Sequence, residues 1–375
     1  MNRQKKISIF SFFSGSGFLD LGFEKTGYDI ELVNEISAPF LEAYIYSREK
    51  MNLSVPRFGY QNLDINEYFT GQRKELMKHI KEVREENRVV GFIGGPPCPD
   101  FSVGGKNKGR EGENGKLSMN YVDLIIDMKP DFFLFENVKG LWKTSRHREF
   151  YEEFKHKLHS AGYCTTDRLT NSLEFGVPQD RERIFLFGLQ KKKLNKTQYQ
   201  NSEILDFPWE NQIRYEMDEI RRVNWPLVDD FNPNKHIICP NECIPELTVE
   251  YWFQKNEVYN HPNTYDHFRP RAGLTKMKSI SEGDVSKKSY KRLHRWRYSP
   301  TAAYGNNEVH LHPYKIRRIS ASEALAIQSL PSEFELPHDM SLSNMFKTIG
   351  NGVPFLLSEG IATTIKEYLS LNKMI

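Results

Sequence analysis

The chain has 375 residues, which is long enough for a large hydrophobic core and for two domains. A hydrophobic fraction of 38% and an aromatic fraction of 13% indicate a folded globular protein rather than a disordered one. No apolar run approaches the roughly 18 residues that span a bilayer, so we expect no membrane association, and the net charge is only +3.

Three segments of different composition follow one another along the chain. Up to about Gly188, five apolar strands alternate with helical stretches, which predicts an α/β fold with a parallel, doubly wound sheet. The predicted strands are ISIFSFF, DIELVNE, VVGFIGG, DFFLFEN and RIFLFGL. We predict one doubly wound domain up to about residue 189 and a second, smaller irregular domain after it.

The first predicted strand runs into FSGSGFLDLGFE, where Gly15 and Gly17 allow a tight turn and a close approach to a ligand. A dinucleotide fingerprint has a third glycine where this chain has Asp20, whose carboxylate would disfavour a pyrophosphate and tolerate an ammonium group. Glu35, 18 residues after Gly17, is placed to accept hydrogen bonds from ribose hydroxyls. Asp64 follows a third predicted strand and is able to accept from an exocyclic amine. Together these residues predict a nucleoside cofactor without pyrophosphate, for which S-adenosyl-L-methionine is the candidate.

A thiol and a carboxylate follow two later predicted strands, and two guanidinium groups precede a third. Cys98 lies in VVGFIGGPPCPDFS, on a stiff loop after a buried strand, where a structural thiol is the alternative interpretation. Glu136 follows the strand of DFFLFENVKG. Arg181 and Arg183 in QDRERIF are two residues apart, and in an extended segment they project to one side. Because ligand crevices open at the carboxyl ends of such strands, these groups are able to converge there.

The middle of the chain, from about Gln190 to Leu311, is polar and has few periodic elements, which predicts a separate unit. Residues 266–318 contain 13 Lys and Arg against 4 Asp and Glu. The densest part, KKSYKRLHRWRYS, mixes bases with aromatic residues, which indicates a polyanion such as nucleic acid, with a solvated surface as the alternative. The four cysteines fit a reducing compartment, and CPNEC (239–243) lacks a second ligand pair, so we expect no metal.

Two further elements are predicted near the C-terminus. Ser320 and Glu323 form a predicted capping box at the start of a helix. The stretch IGNGVPFLLSEGIATTIKEYLSL predicts a glycine turn followed by an amphipathic helix.

In this order, FSGSGFLDLGFE, NE, GGPPCPDFS, ENVKG, QDRERIF, RRISASEALAIQSLP and IGNGVP resemble the motif set of the DNA (cytosine-5)-methyltransferases of bacterial restriction-modification systems. The likeness covers the N-terminal half and about the last sixty residues. It implies a Rossmann-like methyltransferase fold in which residues 1–189 plus 335–375 form the catalytic domain and residues 190–334 are the target-recognition domain with its supporting helix. It also implies double-stranded DNA as substrate, a monomer in the bacterial cytoplasm, and a cognate restriction endonuclease as a candidate partner.

The resemblance implies roles for single residues. Cys98 would be the nucleophile that adds to carbon 6 of a cytosine rotated out of the duplex. Glu136 would bind the ring N3 and the amine, Arg183 the carbonyl oxygen, and Arg181 would hold Glu136 or the thiolate region. The implied contacts to S-adenosylmethionine come from Phe13, Gly15, Gly17, Glu35, Ile36, Asp64, Ile65, Pro97, Leu117 and Asn351. Implied DNA contacts come from Ser102 in the glycine-rich stretch 102–116, and from Lys291, Arg292, Arg295 and Arg297.

The chain departs from the family pattern at three positions. Pro99 stands where glutamine is usual, Phe18 replaces a third glycine, and Gly352 stands where serine is commoner. Three alternatives stay open at this point: a tRNA cytosine-5 methyltransferase of the same family, a catalytically silent nucleic-acid-binding relative, and a nucleotide-dependent oxidoreductase. Intact Cys98 and Glu136 argue against the silent relative, and Asp20 argues against the oxidoreductase.

Overall fold

The structure is a computed structural model, and it describes residues 5–97, 113–270, 273–287, 289–301, 304 and 309–375. The described residues form the strands β1 (Ile7–Phe12), β2 (Asp29–Asn34), β3 (Tyr60–Gln61), β4 (Val89–Gly94), β5 (Phe132–Val138), β6 (Tyr163–Asn171), β7 (Gln179–Asp180), β8 (Glu182–Gln190), β9 (Tyr199–Gln200), β10 (Glu203–Ile204), β11 (Lys291–Arg292), β12 (Ser299–Pro300) and β13 (His310–Leu311).

The helices within the same residues are α1 (Phe18–Lys25), α2 (Ala38–Lys50), α3 (Arg73–Glu85), α4 (Glu113–Met128), α5 (Lys139–Lys143), α6 (Ser145–Ser160), α7 (Met217–Arg222), α8 (Val249–Lys255), α9 (Leu274–Lys278), α10 (Ala321–Ile327), α11 (Leu342–Asn351) and α12 (Phe355–Leu371). None of these described helices is both long and apolar enough to cross a bilayer.

Nine strands form one central sheet in the order β3-β2-β1-β4-β5-β8-β6-β10-β9. The first five strands of this order are parallel. The prediction of a parallel sheet is wrong beyond β5, because β8 runs antiparallel to both β5 and β6. The connection from β6 to β8 holds a short 3-10 helix, Ser172–Phe175, and the two-residue strand β7, and a parallel return would need a longer crossover.

Helices cover both faces of the sheet, as the doubly wound prediction requires. Alternate residues of β5 point to opposite sides, so Phe132 and Leu134 join one hydrophobic core and Phe133 and Phe135 join another. Helices α1, α2 and α12 contribute to the first core. Helices α3, α4 and α6 contribute to the second.

The predicted C-terminal elements are present with one difference. Ser320 caps α10 through the predicted box with Glu323, and α12 is the predicted last helix. The stretch IGN is not a turn, however, because Asn351 is still the last residue of α11 and the chain leaves the helix at Gly352.

The middle of the chain is attached to the N-terminal half at two places, once in the central sheet and once in a separate two-stranded sheet. Strand β10 pairs with β6 and β9 with β10, so the sheet continues past residue 189, where the predicted domain division falls. Strand β12 pairs with β7, Ser299 opposite Gln179 and Pro300 opposite Asp180. The hydroxyl of Thr301 also donates to the carbonyl of Asp180, at 2.6 Å. The basic segment is therefore bonded to the strand that leads directly into Arg181.

Gly188 tests how tightly the second half of the sheet is packed. A Cβ atom at this position would lie 2.1 Å from Cε1 of Phe133, and β8 is paired on both sides. We expect Gly188→Ala to lower the free energy of unfolding in urea by about 1–3 kcal/mol, as overpacking a core does. Gly71→Ala is the control, because its Cβ would meet only Glu67 Oε2, at 3.5 Å. Equal stability of the two variants would contradict this packing.

Candidate active site and cofactor cleft

A buried ion pair lies where β5 and β8 come together. Arg183 Nε lies 3.0 Å from Glu136 Oε1, and both side chains are almost fully buried. Antiparallel pairing places Val138 opposite Arg183 and Phe185 opposite Glu136, so two strands hold the pair from either side. The sequence prediction that this carboxylate and this guanidinium converge is confirmed.

Burial changes the acidity of Glu136. Loss of water contact raises the pKa of this carboxyl, and the charges of Arg183 and then Arg181 oppose that rise. The protonated carboxyl is therefore easier to form than in an exposed glutamate. A group in this state is suited to donate a hydrogen bond to a ring nitrogen and to accept one from an amine.

The loop that leads to Cys98 runs directly over this pair. A Cβ atom on Gly95 would lie 2.7 Å from Glu136 Oε2, so the backbone passes close to the carboxylate. The side chain of Asn137 donates to the carbonyl of Pro96 at 3.5 Å. Pro97 is the last described residue of this loop and is exposed, while Cys98 and Ser102 lie outside the described residues.

Arg181 joins the site to the end of α11. Its guanidinium is fully buried, and Nη2 donates to the carbonyls of Gly350 at 3.0 Å and Asn351 at 3.4 Å. Its charge also acts on Glu136. The resemblance implies that Arg181 holds Glu136 or the thiolate region in place. The structure shows that Arg181 also binds the backbone next to Asn351.

The glycine turn and the end of β2 meet as the cofactor prediction requires. Glu35 accepts hydrogen bonds from the backbone N–H of Gly15 and of Ser37, each at 2.8 Å. Burial raises the pKa of Glu35, and these N–H donors oppose the rise. Asn62 donates to the carbonyls of Glu35 and Ile36, and the side chain of Ile36 is 60% exposed.

The segment that begins at Asp64 is hydrogen-bonded to α4. Asp64 caps the 3-10 helix Ile65–Phe69, its Oδ1 accepting from the backbone N–H of Asn66 at 2.8 Å. Asn120 of α4 donates to Asn66 Oδ1 at 2.8 Å, which ties the helix carrying Leu117 to this segment. Ile65 is buried.

Three more predicted cofactor residues occupy this region. Phe13 has a positive φ of 53°, and its ring meets the Tyr121 ring edge-on with centroids 6.0 Å apart. Leu117 is partly buried against the same core. Gly17 caps α1 with φ 78°, and a Cβ there would lie 2.4 Å from the Tyr44 ring, so only glycine fits.

A buried charge network behind the glycine turn was not expected from the sequence. Asp20 is fully buried and accepts from the hydroxyls of Ser11 at 2.8 Å and Tyr44 at 3.0 Å. Burial raises the pKa of Asp20 to about 7. The interpretation of Asp20 as facing a ligand ammonium is therefore wrong. Arg48 completes the network by donating to the carbonyl of Gly17 at 2.7 Å and pairing with Glu24.

Two of the predicted DNA contacts are structural instead. Arg292 is fully buried and donates to the carbonyls of Ile280 and His312. Arg295 is 6% exposed and forms a two-pronged pair with Glu282, both contacts at 2.8 Å. Neither guanidinium is able to reach a phosphate, so these two predictions are wrong.

Lys291 and Arg297 are half-buried. Lys291 lies in β11, paired through its backbone with His310, and the guanidinium of Arg297 lies 5.3 Å from the centre of the Tyr298 ring. Their DNA contacts remain predictions.

The chain matches the family described as C-5 cytosine-specific DNA methylase over residues 7–367. It is 57% identical over 367 residues to the Type II methyltransferase M.NmeDI of Neisseria meningitidis serogroup C, covering 98% of this chain and 85% of that protein. It is 30% identical to the Type II methyltransferase M.FnuDI of Fusobacterium nucleatum, covering 97% of this chain and 95% of that one.

Solved structures share the fold. An E. coli prophage-encoded protein assigned as a DNA modification methyltransferase superimposes with a TM-score of 0.66 at 21% identity, covering 97% of this chain and 100% of that chain. The Dnmt2 methyltransferase of S. pombe superimposes with a TM-score of 0.58 at 12% identity, covering 98% and 99%.

The chain belongs to the C-5 cytosine-specific DNA methylase family. Its Rossmann-like methyltransferase fold and its activity as a DNA cytosine-5 methyltransferase, both expected from the motifs, are confirmed. The oxidoreductase alternative is wrong, and the family match favours DNA over tRNA.

The corrected role of Arg295 leads to a stability prediction. We expect Arg295→Met to lower the free energy of unfolding by about 3–5 kcal/mol, because Glu282 would be left as a buried charge without its partner. Arg297→Met is the control, because it removes the stacking contact with Tyr298, which is worth about 0.5–1 kcal/mol. Urea unfolding of both variants measures the difference. Loss of DNA affinity in Arg295→Met without loss of stability would restore the original interpretation.

Proposed function

We propose that this chain methylates carbon 5 of cytosine at specific sites in double-stranded DNA, with S-adenosylmethionine as donor and Cys98 as covalent nucleophile. The observation that supports this most directly is the buried Glu136–Arg183 pair, 3.0 Å apart, beneath the loop that runs into Cys98. Thiol, carboxylate and guanidinium are the three groups that this chemistry needs together.

The ion pair is suited to hold a single cytosine. Arg183 donates to the carbonyl oxygen of the base, and a protonated Glu136 donates to N3 while accepting from the exocyclic amine. Such contacts need the edge of the base, which is paired inside a duplex, so the target nucleotide must first rotate out. As negative charge develops on the ring, Glu136 gives its proton toward N3 and Arg183 stabilises the oxygen.

Cys98 supplies the covalent step. Its thiolate adds to carbon 6, and the electron pair this moves to carbon 5 forms the new bond to the methyl group. A base then removes the proton from carbon 5, and the electron pair of that bond restores the double bond as the thiolate leaves. S-adenosylmethionine would supply the electrophilic methyl group, and the electron pair of the broken methyl–sulfur bond would stay on the sulfur, which becomes a neutral thioether.

The residues at the ends of β1, β2 and β3 fit this donor. Both Glu35 oxygens are fixed by backbone N–H groups and keep lone pairs for ribose hydroxyls. Gly15 and Gly17 bring the backbone close enough for an amino-acid moiety. Asp64, Ile65, Phe13 and Leu117 provide a carboxylate and apolar surface for adenine, with Ile36, Pro97 and Asn351 completing the set.

We further propose the domain arrangement and the biological setting. Residues 1–189 with 335–375 form the catalytic domain, which β9 and β10 extend, and the remainder of 190–334 recognises the DNA site through Lys291 and Arg297. Ser102, in the stretch 102–116, is a further contact to DNA. The name of the Neisseria relative, a Type II methyltransferase, supports a role beside a cognate restriction endonuclease. We propose a monomer that works in the bacterial cytoplasm.

Cys98→Ala tests the nucleophile. We expect loss of methyl transfer with cofactor binding retained, because the thiol touches the base and not the donor.

DNA with 5-fluorocytosine at the target should form an adduct with the unaltered protein that survives denaturation, because fluorine does not leave as a proton does. The target itself comes from bisulfite sequencing of DNA from expressing cells.

Cys239→Ala is the matched control and should keep both activity and adduct. Turnover by Cys98→Ala near that of the unaltered protein, or an active protein that forms no adduct, would remove Cys98 from the mechanism.

Glu136→Gln tests the carboxyl through its pH dependence. The raised pKa of Glu136 means that its protonated form persists to higher pH than in an exposed glutamate, and activity falls as pH rises through that pKa. The amide does not transfer a proton, so we expect kcat to fall by roughly 10²–10⁴-fold. We also expect the fall in activity at high pH to vanish from the pH profile of kcat/KM. The same fall at the same pH in the variant would assign the titration to another group.

A further inference from the structure

Phe18 and Gly352, two of the positions that depart from the family pattern, are in direct contact in the folded chain. A Cβ atom at Gly352 would lie 2.2 Å from Cδ2 of Phe18, and its three nearest atoms all belong to that ring. Gly352 has φ −61° and ψ 148°, a conformation open to any residue. Space beside Phe18, and not backbone geometry, therefore requires glycine here.

The Phe18 ring has little freedom to move aside. Phe18 is the first residue of α1 and is 2% exposed. Its ring packs edge-on against Phe334 with centroids 5.1 Å apart. A side chain at position 352 would therefore displace its own backbone rather than the ring.

The backbone next to Gly352 is the part that joins the two halves of the site. We name residues 348–352 the α11 end. Thr348 shares a 2.7 Å hydrogen bond with Ser16 in the glycine turn, and the carbonyls of Gly350 and Asn351 accept from Arg181. The carbonyl of Ile349 accepts from Gln328 at 2.6 Å. Any shift of the α11 end moves these contacts together.

We propose that Phe18 and Gly352 are a matched pair of positioning residues that set how closely the α11 end approaches the glycine turn, and thereby shape the cofactor site. This inference rests on the proposed S-adenosylmethionine site. The bulk that a side chain would occupy at position 352 is supplied here from the opposite wall, by the ring of Phe18. Neither residue needs to touch the reacting atoms.

The test is a double-mutant cycle on the full chain, with Gly352→Ser, Phe18→Ala and the two combined. S-adenosylmethionine binding is measured by calorimetry, together with KM, kcat and the melting temperature. We expect Gly352→Ser to weaken binding at least roughly tenfold, since small misplacements in a binding site are costly. We expect F18A/G352S to bind more tightly than Gly352→Ser alone, because removing the ring reopens the space.

Gly360→Ala is the matched control. Its Cβ would lie 2.4 Å from the ring of Phe175, which is the same conflict on α12, so it should lower the melting temperature without weakening cofactor binding. Binding by Gly352→Ser equal to that of the unaltered protein, or a double variant no better than the product of the single effects, would overturn the inference.

Two further outcomes are also decisive. If Gly352→Ser does not fold, the double variant should fold and bind, and its failure would overturn the inference. If the unaltered protein itself does not bind S-adenosylmethionine, the proposed function fails instead.

Discussion

Buried guanidinium groups need partners, and this requirement brings together the segments on which the site depends. Arg183 meets the carboxylate of Glu136 across two antiparallel strands. Arg181, two residues earlier, meets two backbone carbonyls at the end of α11. Because a buried charge without a partner costs several kcal/mol, roughly 3–5 when one partner is removed, the burial of Arg181 between β7 and β8 favours its contact with the C-terminal segment.

Local patterns were sufficient for the first half of the fold and for the meeting of Glu136 with Arg183. Short apolar runs that end in glycine or a polar residue locate β1, β2, β4 and β5, and carboxyl ends of parallel strands meet at one edge. That geometry is enough to place Glu35 beside the glycine turn before any coordinate is known. The antiparallel direction of β8 could not be predicted in this way, because direction depends on how the chain returns and not on the strand itself.

Charge patterns were a weaker guide. Arg292 and Arg295 stand in the most basic stretch of the chain, yet both are buried against carbonyls or Glu282. A run of bases does not show which side chains face inward, since that depends on partners distant in sequence. The same limit hid Arg48, which lies in α2 and supports the glycine turn through the carbonyl of Gly17.

The pairing of β12 with β7 has a consequence for how new specificities arise in such enzymes. Residues 299–301 are hydrogen-bonded to the strand that leads to Arg181, so the portion that we propose to recognise the DNA site is not a freely exchangeable module. A hybrid that imports this portion from another enzyme would have to keep these three residues in register. We therefore expect new specificities to arise from changes on either side of these three residues.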